Sequence, residues 1–222
     1  MRRIAVIGIL CAVIGCCCCQ KEQAPGDTVI LLGQEAYVKD LTSFIPDSLK
    51  TKFPQQFGAL PQGAIPPNLE GAYHINNLST LYSNYNGTST TSEVFLKVGK
   101  QHNRVAEVQL FQGNGTTTTD TAYIMGDGTA ASHDFTLYLR EKKDIEFQGA
   151  SHRITRLVIF SGEKTGQGIK NLKMGSIILT SDYQETLFVG PFTQGAYFIY
   201  QDSDGLSENT DDFPSPTEGG EP

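Results

Sequence analysis

From residue 70 onward the apolar residues of this chain recur at every second position in short bursts, and that period of two confines the fold to antiparallel β structure. Val94, Leu96 and Val98 alternate with Phe95 and Lys97; Ala106, Val108 and Leu110 with Glu107 and Gln109; Phe135, Leu137 and Leu139 with Thr136, Tyr138 and Arg140. A strand directs alternate side chains to opposite faces, so each burst buries one face. Six further stretches rich in β-branched and aromatic residues bring the expected strands to nine: Gly71 to Ile75, Thr121 to Met125, Ile145 to Gln148, Arg153 to Phe160, Met174 to Thr180 and Gly195 to Tyr200.

Turn chemistry agrees. Asn86-Gly87, Asn114-Gly115 and Asp127-Gly128 lie between apolar runs, where two-residue hairpins need positive φ. The threonine-rich runs at 88–91 and 116–119 are expected at solvated loop tips, and the sequons at Asn77, Asn86 and Asn114 are read as turns. A meander of short strands must close or split into two sheets to hide its edges. The short local connections favour an all-β, antiparallel up-and-down meander closing as a β-barrel, with a β-sandwich as the alternative.

Ahead of the strands the pattern is helical. Tyr37, Leu41 and Phe44 follow helical spacing, Pro46-Asp47-Ser48 stops that helix, and a second short one carries Leu49 and Phe53. Prolines 54, 61, 66 and 67 then break regular structure.

The first residues have the layout of a secretory signal: Arg2 and Arg3, then an apolar run from Ile4 to Ile14, too short to span a bilayer. Val13-Ile14-Gly15-Cys16 resembles the lipobox of bacterial lipoproteins, with a small residue before the cysteine and a branched aliphatic three before it. The resemblance implies that Cys16 is lipidated and becomes the first residue after cleavage. Two or three acyl chains make such an anchor effectively stable, where one holds only marginally. All five cysteines lie at or before Cys19, so the folded part has neither disulfides nor a cysteine zinc site. Cys17, Cys18 and Cys19 lack metal-ligand spacing.

The formal net charge is −7. After Tyr200 come Asp202, Asp204, Glu208, Asp211, Asp212, Glu218 and Glu221 with no base, which leaves the body close to neutral. Without a clustered basic surface, nucleic acid is not an expected partner. The expected organisation is therefore a signal peptide at 1–15, a tether at 16–26, a helical leader and proline-rich connector at 27–69, a β-barrel domain at 70–200 and a disordered acidic tail at 201–222.

A leader followed by Gly71-Ala72-Tyr73 at the first strand is similar to the lipocalin layout, with Tyr73 in place of the tryptophan common there. Together with the anchor, the chain resembles small lipoproteins of Bacteroidota with lipocalin-like, calycin-type barrels. Asp27-Thr28-Val29, Asp47-Ser48-Leu49 and Asp120-Thr121-Ala122 resemble the sites such bacteria O-glycosylate, which would place sugars on Thr28, Ser48 and Thr121.

Catalytic motifs fail on context. Gly126-Asp127-Gly128 has dinucleotide-loop spacing, but Ser132 to Arg140 alternates as a strand where that loop would open a helix, so a hairpin turn is expected. Ser132-His133-Asp134 cannot converge within one strand, and His74, His102 and His152 stand without partner histidines. Asp202-Ser203-Asp204-Gly205 with Glu208 is an incomplete calcium-loop pattern, read as solvated tail. The aromatics Phe95, Phe111, Tyr123, Phe135, Phe147, Phe160, Phe188, Tyr197, Phe198 and Tyr200 are expected to fill the barrel.

The expectation is a lipid-anchored cell-envelope protein, facing the periplasm or the cell surface from an outer membrane, without a catalytic, metal or cofactor site. It would bind a small apolar ligand or present loops to an envelope partner. The competing readings are an envelope hydrolase of glycan or peptidoglycan fragments, using carboxylates such as Glu70, Glu93, Glu107 or Asp120, and a subunit of a surface assembly.

Overall fold

The computed structural model describes residues 47–58, 60–61, 63–76, 78–85, 93–112, 116–127, 129, 133–183 and 190–214. All belong to the second of two compact units, Asp40–Pro222. The signal, Cys16, the tether, Thr28, the helix expected over Tyr37 to Phe44, and the turns at Asn77, Asn86 and Asn114 lie outside the described residues.

One helix, α1 (Asp47–Phe57), precedes ten strands: β1 (Gly71–Asn76), β2 (Leu78–Ser83), β3 (Glu93–His102), β4 (Val105–Gln112), β5 (Thr116–Gly126), β6 (Asp134–Phe147), β7 (Ala150–Lys164), β8 (Gly168–Ser181), β9 (Tyr197–Asp202) and β10 (Leu206–Asn209). Every pairing is antiparallel, and β3 to β9 run in sequence order as a meander. The pairings form a ring, because β1 bonds to β3 on one side and β10 on the other, and β10 also bonds to β8. β2 covers the free edge of β9.

The face turned into the ring carries the main apolar cluster. Tyr73, Ile75, Leu96, Val108, Leu110, Ile124, Phe135, Leu137, Leu139, Val158, Phe160, Met174, Phe198 and Tyr200 belong to it, with Leu69 from the connector. At about 25 cal/mol per Å² of apolar surface removed from water, this cluster is the main source of stability. The connector crosses one end of the ring. Gly63 and Gly126 exchange backbone hydrogen bonds there, and a Cβ on Gly126 would stand 1.9 Å from the carbonyl oxygen of Ile65. That close approach is why position 126 is glycine. The buried Tyr73 hydroxyl donates to the Leu69 carbonyl at 2.7 Å, and Lys164 Nζ lies 4.9 Å from the centroid of its ring.

On the outer face α1 lies over β8. Gly175 leaves room for Phe53 and Phe57, which stack at 5.2 Å, and Phe53 meets Tyr197 edge-on. Lys173 Nζ donates to the Phe57 carbonyl at 2.8 Å, satisfying a group the helix end leaves open. Pro54 sits inside the helix, whose final turn is closed by the Gly58 amide donating to the Pro54 carbonyl.

Several expectations require correction. β2 and β10 were not among the nine expected strands, and the stretches Phe135 to Leu139 and Ile145 to Phe147 belong to one strand, β6. It turns into β7 through Gln148-Gly149, both with positive φ as a tight two-residue hairpin demands. Thr116 to Thr119 are not a loop tip. They pair with Gln112 to Gln109 in β5, as β-branched side chains favour. The acidic tail is not disordered from residue 201. Gln201 and Asp202 complete β9, and Leu206–Asn209 forms β10 between β1 and β8. Gly168 admits it, since a Cβ there would lie 2.1 Å from the Ser207 carbonyl oxygen. Phe213 then packs edge-on against Phe95. Two open strand edges and this aromatic contact offset the ordering cost that the tail's composition alone could not. Residues 215–222 lie outside the described residues.

Candidate functional site

The register of β4 through β7 brings charge into the ring. Val108 and Leu110 face inward, and they pair with Asp120 and Thr118 on β5. Along β6 the inward side chains run Phe135, Leu137, Leu139, Glu141, Lys143, Ile145; along β7 they run Phe160, Val158, Arg156, Ile154. Glu141 pairs with Arg156, and continuing the β5–β6 register two steps from Ala122↔Leu139 sets Asp120 opposite Glu141. Asp120, Glu141 and Arg156 thus form a row across three strands, with Lys143 beside it. Cross-strand neighbours of this kind have Cβ atoms about 5 Å apart.

This charged layer separates two apolar clusters. On one side lies the main core. On the other, Ile154, Ile178 and Ala196 pack with Ile145 and Phe192. Phe192 is brought there by the β8–β9 connection, where Ile178 and the 195–196 backbone exchange hydrogen bonds. It also meets Phe147 edge-on, which in turn meets Tyr183.

Within the layer Glu141 is nearly inaccessible, with 3% of its side chain exposed, and it accepts a hydrogen bond from Arg156 Nε. Burial pushes its carboxyl pKa up, but Arg156 and Lys143, with hydrogen bonds from Arg156 and Thr118, more than offset this and hold it below the ordinary glutamate value. Burial lowers the Lys143 pKa, and Arg156 lowers it further. Asp120 is raised, first by burial and then by Glu141, although its carboxylate accepts the Thr121 amide at 2.7 Å. The Nη2 of Arg156 is buried and has no hydrogen-bond partner.

The structure does not bring together the four carboxylates singled out from the sequence. Exposed Glu70 accepts the Gln101 amide at 2.8 Å. Glu93 lies 2.9 Å from His74 Nε2, whose ring stacks on Phe95 at 4.3 Å. Glu107 is exposed on β4, on the face opposite Val108. Asp120 alone of the four meets another carboxylate, and that partner, Glu141, was missed together with Lys143 and Arg156. Their signal was present, because Glu141 and Lys143 fall in the apolar phase of the Phe135–Ile145 alternation.

At the end crossed by the connector there is a surface cleft of about 660 Å³, lined by Ile65 to Asn68, Thr129, His133 and Glu163 to Gly166. Lys164 is engaged there with the Tyr73 ring and, at 3.4 Å, with Asn209 Oδ1. His152 Nδ1 lies 3.4 Å from Asp182 and meets Tyr183 edge-on, while His102 is exposed. Ser132 lies outside the described residues, and His133 and Asp134 are exposed. Asp202, read from sequence as solvated tail, is fully buried and accepts the Ser207 hydroxyl at 2.6 Å. Among the described residues no three His, Cys, Asp or Glu side chains gather as a metal would need, and no helix is long and apolar enough to cross a membrane. Thr121 is exposed on β5, and the Ser48 side chain and Phe188 lie outside the described residues.

Comparison of the chain with known protein families, with curated proteins and with solved structures finds no match.

Proposed function

We propose that this is a lipid-anchored envelope protein, tethered through Cys16, whose ring closes as a lipocalin-like barrel and carries a small, largely apolar molecule. With β1 and β2 counted as one interrupted stave, and β9 and β10 as another, the ten strands make eight. An eight-stranded barrel is just wide enough to be filled by side chains or to hold one small ligand. The observation that carries the reading is the division of the interior: a charged layer between a large apolar core and a smaller cluster including Phe192. Ligand sites are mostly apolar with a few placed polar groups, whereas a purely structural core gains little from buried charge.

The hydrolase reading finds its support in Asp120 facing Glu141. Against it, Glu141 is bound to Arg156 and nearly inaccessible, so the pair lacks a free acid and base on either side of a substrate bond. The assembly reading would rest on exposed apolar surface, and the exposed large apolar side chains among the described residues, Ile65 and Leu81, stand at separate places.

Organic extraction of the protein purified from its own membranes tests the carrier reading. It should release one small apolar compound at close to one equivalent per chain. Extracts containing only membrane lipids in bulk proportion would reject it.

A further inference from the structure

The hydrogen bonds and charges of the interior layer leave one group unaccounted for. Glu141 takes Arg156 Nε and Thr118, and Asp120 takes the Thr121 amide. Arg156 is the last charged residue of the row, its other cross-strand neighbour being Ile178. Its Nη2 remains buried without an acceptor, and Lys143, likewise inward, lies across from Ile154. A guanidinium N–H buried without a partner is costly, so folded proteins seldom leave one. Two cations therefore stand at the border of the smaller apolar cluster, with Glu141 bound to one of them and Asp120 beyond it on β5.

We infer that this border is the head-group end of the ligand site, and that the ligand is an amphiphilic monoanion. Its carboxylate accepts from Arg156 Nη2 and pairs with Lys143, and its apolar part lies among Ile145, Ile154, Ile178 and Phe192. The inference rests on the carrier reading and adds the ligand's charge to it. A planar carboxylate matches the guanidinium fork, as Glu141 already demonstrates on the other nitrogen. A cationic head would face Arg156 and Lys143, and an apolar end would leave Arg156 Nη2 without an acceptor.

The test uses the full chain with Cys16→Ser and compares octanoate with octan-1-ol by equilibrium dialysis. Octanoate should bind at one per chain, about tenfold more tightly than octan-1-ol, the effect of one charge-assisted hydrogen bond. The double variant Glu141→Leu/Arg156→Met removes both ion-pair partners together, so it keeps a fold that Arg156→Met alone endangers. It should cut the preference for octanoate to the part that Lys143 supplies, and adding Lys143→Met to it should bring the two affinities to equality. Lys143→Met, with the ion pair intact, should reduce the preference for octanoate. Equal affinities in the parent chain, or a preference undiminished in the double variant, overturn the head-group assignment and leave the carrier reading standing. Binding of neither probe overturns both.

Discussion

Glu141 and Arg156 stand opposite each other on β6 and β7 and pair inside the ring, between two apolar clusters. Removing one partner leaves the other buried and uncompensated. Arg156→Met should lower stability by about 3–5 kcal/mol, and Glu141→Leu/Arg156→Met should recover most of that, as measured by urea denaturation. Equal loss in the single and double variants would mean that the pair contributes through packing and not through charge.

The carboxyls of the row respond to pH in opposite senses. Glu141 is depressed in the folded chain, so its contribution is complete above the ordinary glutamate value of about 4.3 and is lost as pH falls through the lower folded value. Asp120 is raised, so it costs stability increasingly as pH climbs from about 3.9 through its folded value. Asp120→Asn should therefore be more stable than the parent at neutral pH and equal to it in acid. Thermal melts across that range check the sign, and a variant less stable at neutral pH would contradict it.

Gly175 and Phe53 occupy one space. A Cβ at 175 would stand 2.6 Å from Phe53 Cζ. Gly175→Ala should cost about 1–3 kcal/mol by overpacking, and Phe53→Ala about 3–5 kcal/mol by emptying the site. Together they should cost clearly less than their sum, because the added methyl enters the room vacated by the ring. Additive losses in a double-mutant cycle would separate α1 from this contact.

Gly168 controls whether the acidic end joins the sheet. Its φ of +151° and the 2.1 Å approach to the Ser207 carbonyl both exclude a side chain. Gly168→Ala should strip hydrogen-exchange protection from Leu206–Asn209 while the amides of β6 and β7 keep theirs. Unchanged protection at β10 would show that its pairing with β1 suffices.

The strands with apolar alternation, β3, β4 and β6, could be read from the sequence because one face of each enters the main core, and β7 from its β-branched and aromatic run. β10 could not, because Leu206-Ser207-Glu208-Asn209 has neither alternation nor β-branched residues, and becomes a strand by joining β1 and β8. The Gln148-Gly149 turn was not legible because glutamine rarely takes positive φ. Nor was the charged layer, whose members are far apart in sequence and meet only through register. A strand's alternation shows that Glu141 faces the core, but not that Arg156 waits opposite.

Native mass spectrometry of the full-length protein extracted from its own membranes reads anchor and cargo together. A polypeptide starting at Cys16, heavier by its acyl groups and carrying one further small acidic molecule released on collisional activation, is the predicted result. A bare, unacylated chain with nothing bound would contradict the account.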